Sequence, residues 1–316
     1  MGAMIPGVRR TVLKDTLLTA AAPAIWGTTY LIAAELLPPD RPLTAATIRT
    51  LPAGLALVLA TRFGFLRGSP GRLLVLAVIN ISAFQALLFI AAERLPGGVA
   101  AVVGALQPLF LLLLSWIADH VRPTYLALGS ALLGVAGMAL VFASPDVAWD
   151  PLGIVAAFLG TVCMAAGSFL SRRWQGSIPL LAFAGWQILL GGLVLLPFAF
   201  ALEAPLPPLS SRHVTGYLYL ILVGTLIAYP LWIRGLSRLP PGAVGALNLI
   251  NPVTALLLGW ILIGPGPTTT ELVGVLIVLL SIGVLQQSNT TTRTPRAASF
   301  PIKVHPASSH PNFLKP

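Results

Sequence analysis

Apolar runs of about twenty residues follow one another along almost the whole chain, separated by short polar gaps. They lie near 17–36, 44–62, 71–92, 97–117, 124–143, 151–172, 180–202, 214–235, 241–263 and 270–286. Each is close to the ~20 residues a helix needs to cross ~30 Å of hydrocarbon. The pattern predicts an all-α integral membrane protein with ten transmembrane helices. The gaps, such as "LPPDRP", "RFGFLRGSPGR" and "ASPDVAWDP", are rich in Pro, Gly, Arg and Asp. Arg9, Arg10 and Lys14 precede the first run much as they would in a signal peptide. The run continues through Trp26 and Tyr30 to Leu37, however, which is long enough to span. It reads as the first helix, with 1–16 as a cytoplasmic N-terminus. From Ser288 the chain turns polar, Pro-rich and aperiodic, which predicts a disordered tail over 288–316.

Two segments repeat each other. "RLPGGVAAVVGALQPLFLLLLSWI" at 94–117 and "RLPPGAVGALNLINPVTALLLGWI" at 238–261 share ten of 24 positions at an offset of 144 residues. The same offset lays 74–89 over 218–233, and a slightly smaller one lays 48–59 over 186–197. The chain thus divides into halves of five spans, 17–143 and 151–287. Five is odd, so the second half enters the membrane from the opposite side. That is an inverted-topology repeat, a construction typical of secondary transporters, which bind substrate near the midplane where the halves meet.

Composition agrees with the membrane reading. Only 9% of the 316 residues are charged and mean hydropathy is +0.90, whereas a soluble domain carries roughly 25% charged residues. The net charge of +10 is spread over the gaps, which is the pattern of an orientation signal and not of a nucleic-acid partner. With the N-terminus in the cytoplasm, Arg62, Arg67, Arg72, Arg122, Arg172, Arg173, Arg234, Arg238 and the basic tail fall inside. Only Arg41, Arg94 and Arg212 fall outside. Both termini are therefore expected in the cytoplasm and the chain in the plasma (cell inner) membrane. Cys163 is the single cysteine, and the four histidines are isolated. No phosphate-cradling loop, H-E-x-x-H pair or nucleophile elbow is present. The expected partners are the bilayer and a small molecule, with no metal and no cofactor; a homodimer stays open.

Polar residues inside the spans are the candidate chemistry, since an unpaired amide in hydrocarbon is costly and should face a protein interior or a wet cavity. Gln107 and Asn251 occupy matched positions, each directly before a proline. Pro108 and Pro252 each remove a backbone donor, which predicts a loosened, hinge-like helix near Gly104 and Asn248. Trp26, Tyr30, Asn80, Gln85, Trp186, Gln187, Tyr229 and Trp232 complete a ring expected to line a cavity. Arg49 is the one clear charge within a span, able to snorkel, cap carbonyls or attract a carboxylate. Near mid-membrane no acidic residue is found, which disfavours a buried-carboxylate proton relay.

These motifs, with "PAIWGTTYL" on the first helix, resemble the EamA branch of the drug/metabolite transporter superfamily over residues 17–287. The resemblance implies ten helices in two inverted five-helix repeats around a cavity open to one side at a time. It also implies transport, often export, of amino acids or related metabolites. In one place the chain departs from the family pattern. Similar family members usually carry a Gly-Glu pair before the "RPT"-like turn, where this chain reads His120–Val121 and Gly264–Pro265. The competing expectation is an integral-membrane enzyme or scaffold, which would place a His, Asp or Glu cluster at one membrane face.

Overall fold

The computed structural model describes residues 6–62, 69–95, 103–104, 106–141, 150–262 and 268–291. The expectations for the start of the fourth run, Gly264–Pro265 and residues 292–316 lie outside the described residues. Twelve helices occupy the described chain: α1 (Pro6–Gly27), α2 (Thr29–Leu36), α3 (Pro42–Thr61), α4 (Pro70–Arg94), α5 (Gln107–Asp119), α6 (Tyr125–Val141), α7 (Pro151–Trp174), α8 (Leu180–Leu202), α9 (Ser211–Arg238), α10 (Pro241–Asn248), α11 (Ile250–Leu262) and α12 (Thr269–Thr291). No strand occurs among the described residues. Six helical stretches are long and apolar enough to cross a membrane: Thr11–Leu36, α3, α4, α7, α8 and α9. Shorter apolar helices, α5, α6, α11 and α12 among them, complete the set.

Local chemistry explains many of the ends. Proline starts α3, α4, α7 and α10, where its missing N–H would be unpaired anyway. Asp150 caps α7 by accepting the Gly153 N–H at 2.7 Å, and Ser210 forms a capping box with His213 on α9. Arg62 and His120 close α3 and α5 in the left-handed conformation, with φ of 50° and 54°.

Some boundaries differ from expectation. The first helix begins at Pro6, because Arg9, Arg10 and Lys14 interrupt an apolar run without interrupting a helix. The same span breaks at Thr28, whose hydroxyl donates to the Ile25 carbonyl at 2.7 Å and pairs with the Tyr219 hydroxyl. The ninth run is two helices, parted at Leu249. The last helix continues through Thr291, so 288–291 belong to it and not to a tail.

The middles of α4 and α9 each widen into a π turn, at Ala77–Ala83 and Leu222–Ile227. Such turns release backbone carbonyls and recur at functional sites. In α9 the Ala228 N–H bonds the Val223 and Thr225 carbonyls instead of the Gly224 carbonyl that an α-helix would use. Hydroxyls fill in for part of the lost ladder: Ser82 reaches Ala77 O at 3.1 Å and Thr225 reaches Leu220 O at 2.9 Å, each five residues back.

Packing is densest between α3 and α8. Gly54 lies on the backbone of Ile188 and Leu189, while Gly192 faces Thr50 and Leu51. Small residues that let two backbones approach in this way are a principal means of joining helices in lipid. The π turn of α4 closes on the same pair, with Gly191 against Ile81. Around this centre α6 packs on α12, α4 on α7, and α1 on α9 and α11.

Candidate functional site

A cavity with about 770 Å³ of non-atom space, open solvent included, lies among α1, α2, α3, α4, α5, α7, α9, α10 and α11. Its wall joins aromatic rings (Trp26, Tyr30, Phe84, Tyr229) to a few polar groups (Arg49, Gln107, Asn248, Asn251). The lining extends from Met164 in the middle of α7 and Asn248 at the end of α10 to Ala91 and Ala156, which stand near the Arg94–Asp150 end of the molecule.

Arg49 is the electrostatic centre. It is 1% exposed, so it does not snorkel. Its Nη2 donates to the Gly224 carbonyl at 3.0 Å, its Nε to Thr225 Oγ1 at 3.2 Å and its Nη1 to Gln85 Oε1 at 3.4 Å. The Trp26 indole N–H shares the Gly224 carbonyl, also at 3.0 Å. The π turn of α9 therefore supplies the acceptor that holds both an arginine and a tryptophan at the cavity wall. Tyr229 and Trp232 meet the Trp26 ring edge-on, with centroids 5.2 and 5.4 Å away.

Behind this wall Gln85 donates to the Tyr229 hydroxyl at 2.6 Å. On the cavity wall Asn248 Nδ2 donates to Gln107 Oε1. The other amide atoms of this pair, Gln107 Nε2 and Asn248 Oδ1, are buried with no partner.

Charged groups sit at the two ends. At one end Arg94 pairs with Asp150 at 3.4 Å and Arg212 with Glu35 at 3.1 Å, and Glu203 caps α3 through the Leu43 and Thr44 N–H groups. The Gly153 N–H, with help from Arg94, holds the Asp150 carboxyl below its usual range. At the other end Asp15 receives Arg234 at 2.8 Å and Arg238 at 3.5 Å, and Asp119 receives Arg173 at 2.6 Å. The described residues hold no group of three His, Cys, Asp or Glu placed to bind a metal.

The profile of the EamA-like transporter family matches this chain twice, over residues 14–143 and 151–286. The chain belongs to the EamA-like transporter family. It is thus a multi-pass membrane protein of a family of transporters of small substrates. Protein PecM of Dickeya dadantii is 40% identical over 275 residues, spanning 86% of this chain and 92% of PecM. The uncharacterized inner membrane transporter YicL of Salmonella typhimurium is 25% identical over 301 residues, 90% of this chain and 98% of YicL. The uncharacterized transporter YwfM of Bacillus subtilis is 26% identical over 288 residues, 90% and 97% of the two chains. A solved crystal structure shares the fold with a TM-score of 0.73 at 22% identity, over 89% of this chain and 99% of that one.

Within this EamA-like transporter, seven of the twelve residues read from sequence border the cavity: Trp26, Tyr30, Arg49, Gln107, Tyr229, Asn248 and Asn251, together with Pro252. Gln85 and Trp232 stand behind it and hold Arg49, Tyr229 and Trp26. Asn80 and Gln187 do not reach it. They bond each other at 3.2 Å in a buried network with Ser171. Trp186 packs against the main apolar core instead, and Pro108 is buried on α5 without bordering the cavity. The α7 wall, comprising Ala156, Ala157, Gly160, Thr161 and Met164, escaped the sequence reading. Its signal was the row of small side chains Ala156, Ala157, Gly160 and Thr161 at helical spacing, which leaves room where a bulkier row would fill it.

Proposed function

We propose that this EamA-like transporter is a secondary carrier of ten membrane spans in two inverted five-helix repeats, 17–143 and 151–287. It exports a small metabolite such as an amino acid or related compound across the plasma membrane, with both termini in the cytoplasm. One observation carries the reading: the devices around the cavity come in pairs at the 144-residue offset. The π turns at Ala77–Ala83 and Leu222–Ile227 are one such pair. Gln85 and Tyr229, 144 residues apart, are another, and they bond each other. The chain is also broken just before Gln107 and again at Leu249, beside the matched Gln107–Pro108 and Asn251–Pro252. Matched elements meeting at one site are what alternating access requires, because the two halves exchange shapes as the site changes sides. The family profile's two successive matches are a further support.

In this reading the cavity, whose lining approaches the Arg94–Asp150 end, is one of the two access states, and the Asp15–Arg234–Arg238 cluster closes the opposite end. Metabolites should be profiled inside and outside cells that overproduce the protein, and the enriched solute then followed in counterflow with proteoliposomes. A solute that rises outside, with saturable counterflow of the same compound, is expected. No differential solute and no counterflow would sink the reading in favour of a non-transporting membrane scaffold.

A further inference from the structure

Arg49 poses a charge problem that the fold itself does not solve. A buried guanidinium is costly unless a counter-charge accompanies it. Here the three partners of Arg49 are a backbone carbonyl, a hydroxyl and a neutral amide oxygen. None of the ion pairs among the described residues includes it. Guanidinium carries five N–H donors, so three bonds leave two N–H groups for something else, on a residue that borders the cavity.

The matched contact of the repeat sharpens the point. Gln187 stands at the position that the smaller repeat offset matches to Arg49. It bonds Asn80, whose own match at 144 residues is Gly224, the partner of Arg49. Two matched contacts between the halves thus differ: one is the neutral amide pair Asn80–Gln187, the other joins the Arg49 cation to the Gly224 carbonyl. Only the cation borders the cavity, so the charge is a feature of the cavity and not of the repeat's packing.

A second observation points to a ligand at the same cavity. Gln107 Nε2 and Asn248 Oδ1 are both buried and both unpartnered, although the two side chains bond each other through their remaining atoms. One is a donor and the other an acceptor, side by side on the cavity wall. The same cavity is lined by Arg49 and by the rings of Trp26, Tyr30, Phe84 and Tyr229.

We infer that the cavity takes an organic monoanion: a carboxylate on Arg49, an apolar or aromatic body among the rings, and a group that both donates and accepts a hydrogen bond at the Gln107–Asn248 edge. The inference rests on the transporter reading above for its setting, and its test is independent of transport. The full chain in nanodiscs would be titrated calorimetrically with two matched aromatic probes, indole-3-acetate and its neutral amide indole-3-acetamide. The acid should bind at least about ten-fold more tightly than the amide. Arg49→Gln should abolish that preference, and Arg49→Lys should restore part of it, since charge returns without the planar fork. Gln107→Leu leaves Arg49 in place. It should keep the preference for acid over amide while weakening both probes, and so covers the case in which Arg49→Gln fails to fold. Equal binding of acid and amide, binding of neither, or a preference that survives Arg49→Gln overturns the inference. Solute counterflow without any acid preference would overturn it while leaving the transporter standing. Acid preference without counterflow would do the reverse.

Discussion

Tyr229 places a single hydroxyl where it holds two side chains in order. Gln85 is fully buried, with its Nε2 on the Tyr229 hydroxyl at 2.6 Å and its Oε1 on Arg49. Tyr229→Phe leaves that amide donor buried with no acceptor, at a cost of ~1–3 kcal/mol. Gln85→Leu is expected to cost a similar amount. The double variant should lose clearly less than the sum, because neither partner is then left unpaired. Thermal unfolding of the four proteins in one detergent measures this, and strict additivity would show the bond to be energetically idle. Residue identity was the most legible level for the cavity's polar groups and the least legible for its apolar ones. Arg49, Gln107 and Asn251 announce themselves because a polar group in hydrocarbon needs a reason. Which of them share a cavity is another matter. Asn80 and Gln187 are 107 residues apart, and nothing in the spacing along either helix says that they face each other and not the open space. The α7 wall is legible only as missing bulk, and absence of bulk has many causes.

At the scale of elements, the paired breaks matter most. Asn251 and Pro252 border the cavity at the start of α11, just past the break at Leu249, while Pro108 lies at the start of α5 beside cavity-lining Gln107. Proline there withholds an N–H and leaves a carbonyl one turn back unpaired. Pro108→Ala and Pro252→Ala should each slow transport by stiffening one half, and they should favour opposite access states. Cysteines at Gln107 and Asn251 in a Cys163→Ala background, labelled from each side of the membrane, read those states. Two variants that shift labelling in the same direction would reduce the prolines to packing features. Hydropathy located α3, α4, α7, α8 and α9 within a few residues, but it reports burial in lipid and not hydrogen bonding. For that reason α1 runs back to Pro6 through three basic residues. The π turns in α4 and α9 were likewise invisible, since widening a turn changes which carbonyl is bonded without changing what is apolar.

For the molecule as a whole, the α3–α8 centre sets how much change the fold tolerates. A Cβ on Gly54 would collide with the Leu189 backbone, whereas one on Gly129 meets nothing within 4 Å. Gly54→Ala should therefore destabilise by ~1–3 kcal/mol through overpacking, and Gly129→Ala should leave thermal stability unchanged or raise it slightly. Equal effects would mean that the centre has slack. The uncompensated Arg49 reaches furthest, because in the proposed carrier it would couple the cavity to the membrane voltage. An aqueous cavity carries the potential of whichever side it opens to, and one elementary charge crossing the full field is worth ~2.3 kcal/mol per 100 mV. The empty carrier holds a positive charge at the cavity, while the carrier loaded with a monoanion holds none. An inside-negative potential would then draw the empty site toward the cytoplasm, where an exporter reloads, and leave the loaded step indifferent. In proteoliposomes with an imposed potassium diffusion potential, net efflux should accelerate with inside-negative voltage while exchange between loaded states should not. Arg49→Gln should flatten the first response, and voltage dependence that persists in that variant would place the moving charge elsewhere.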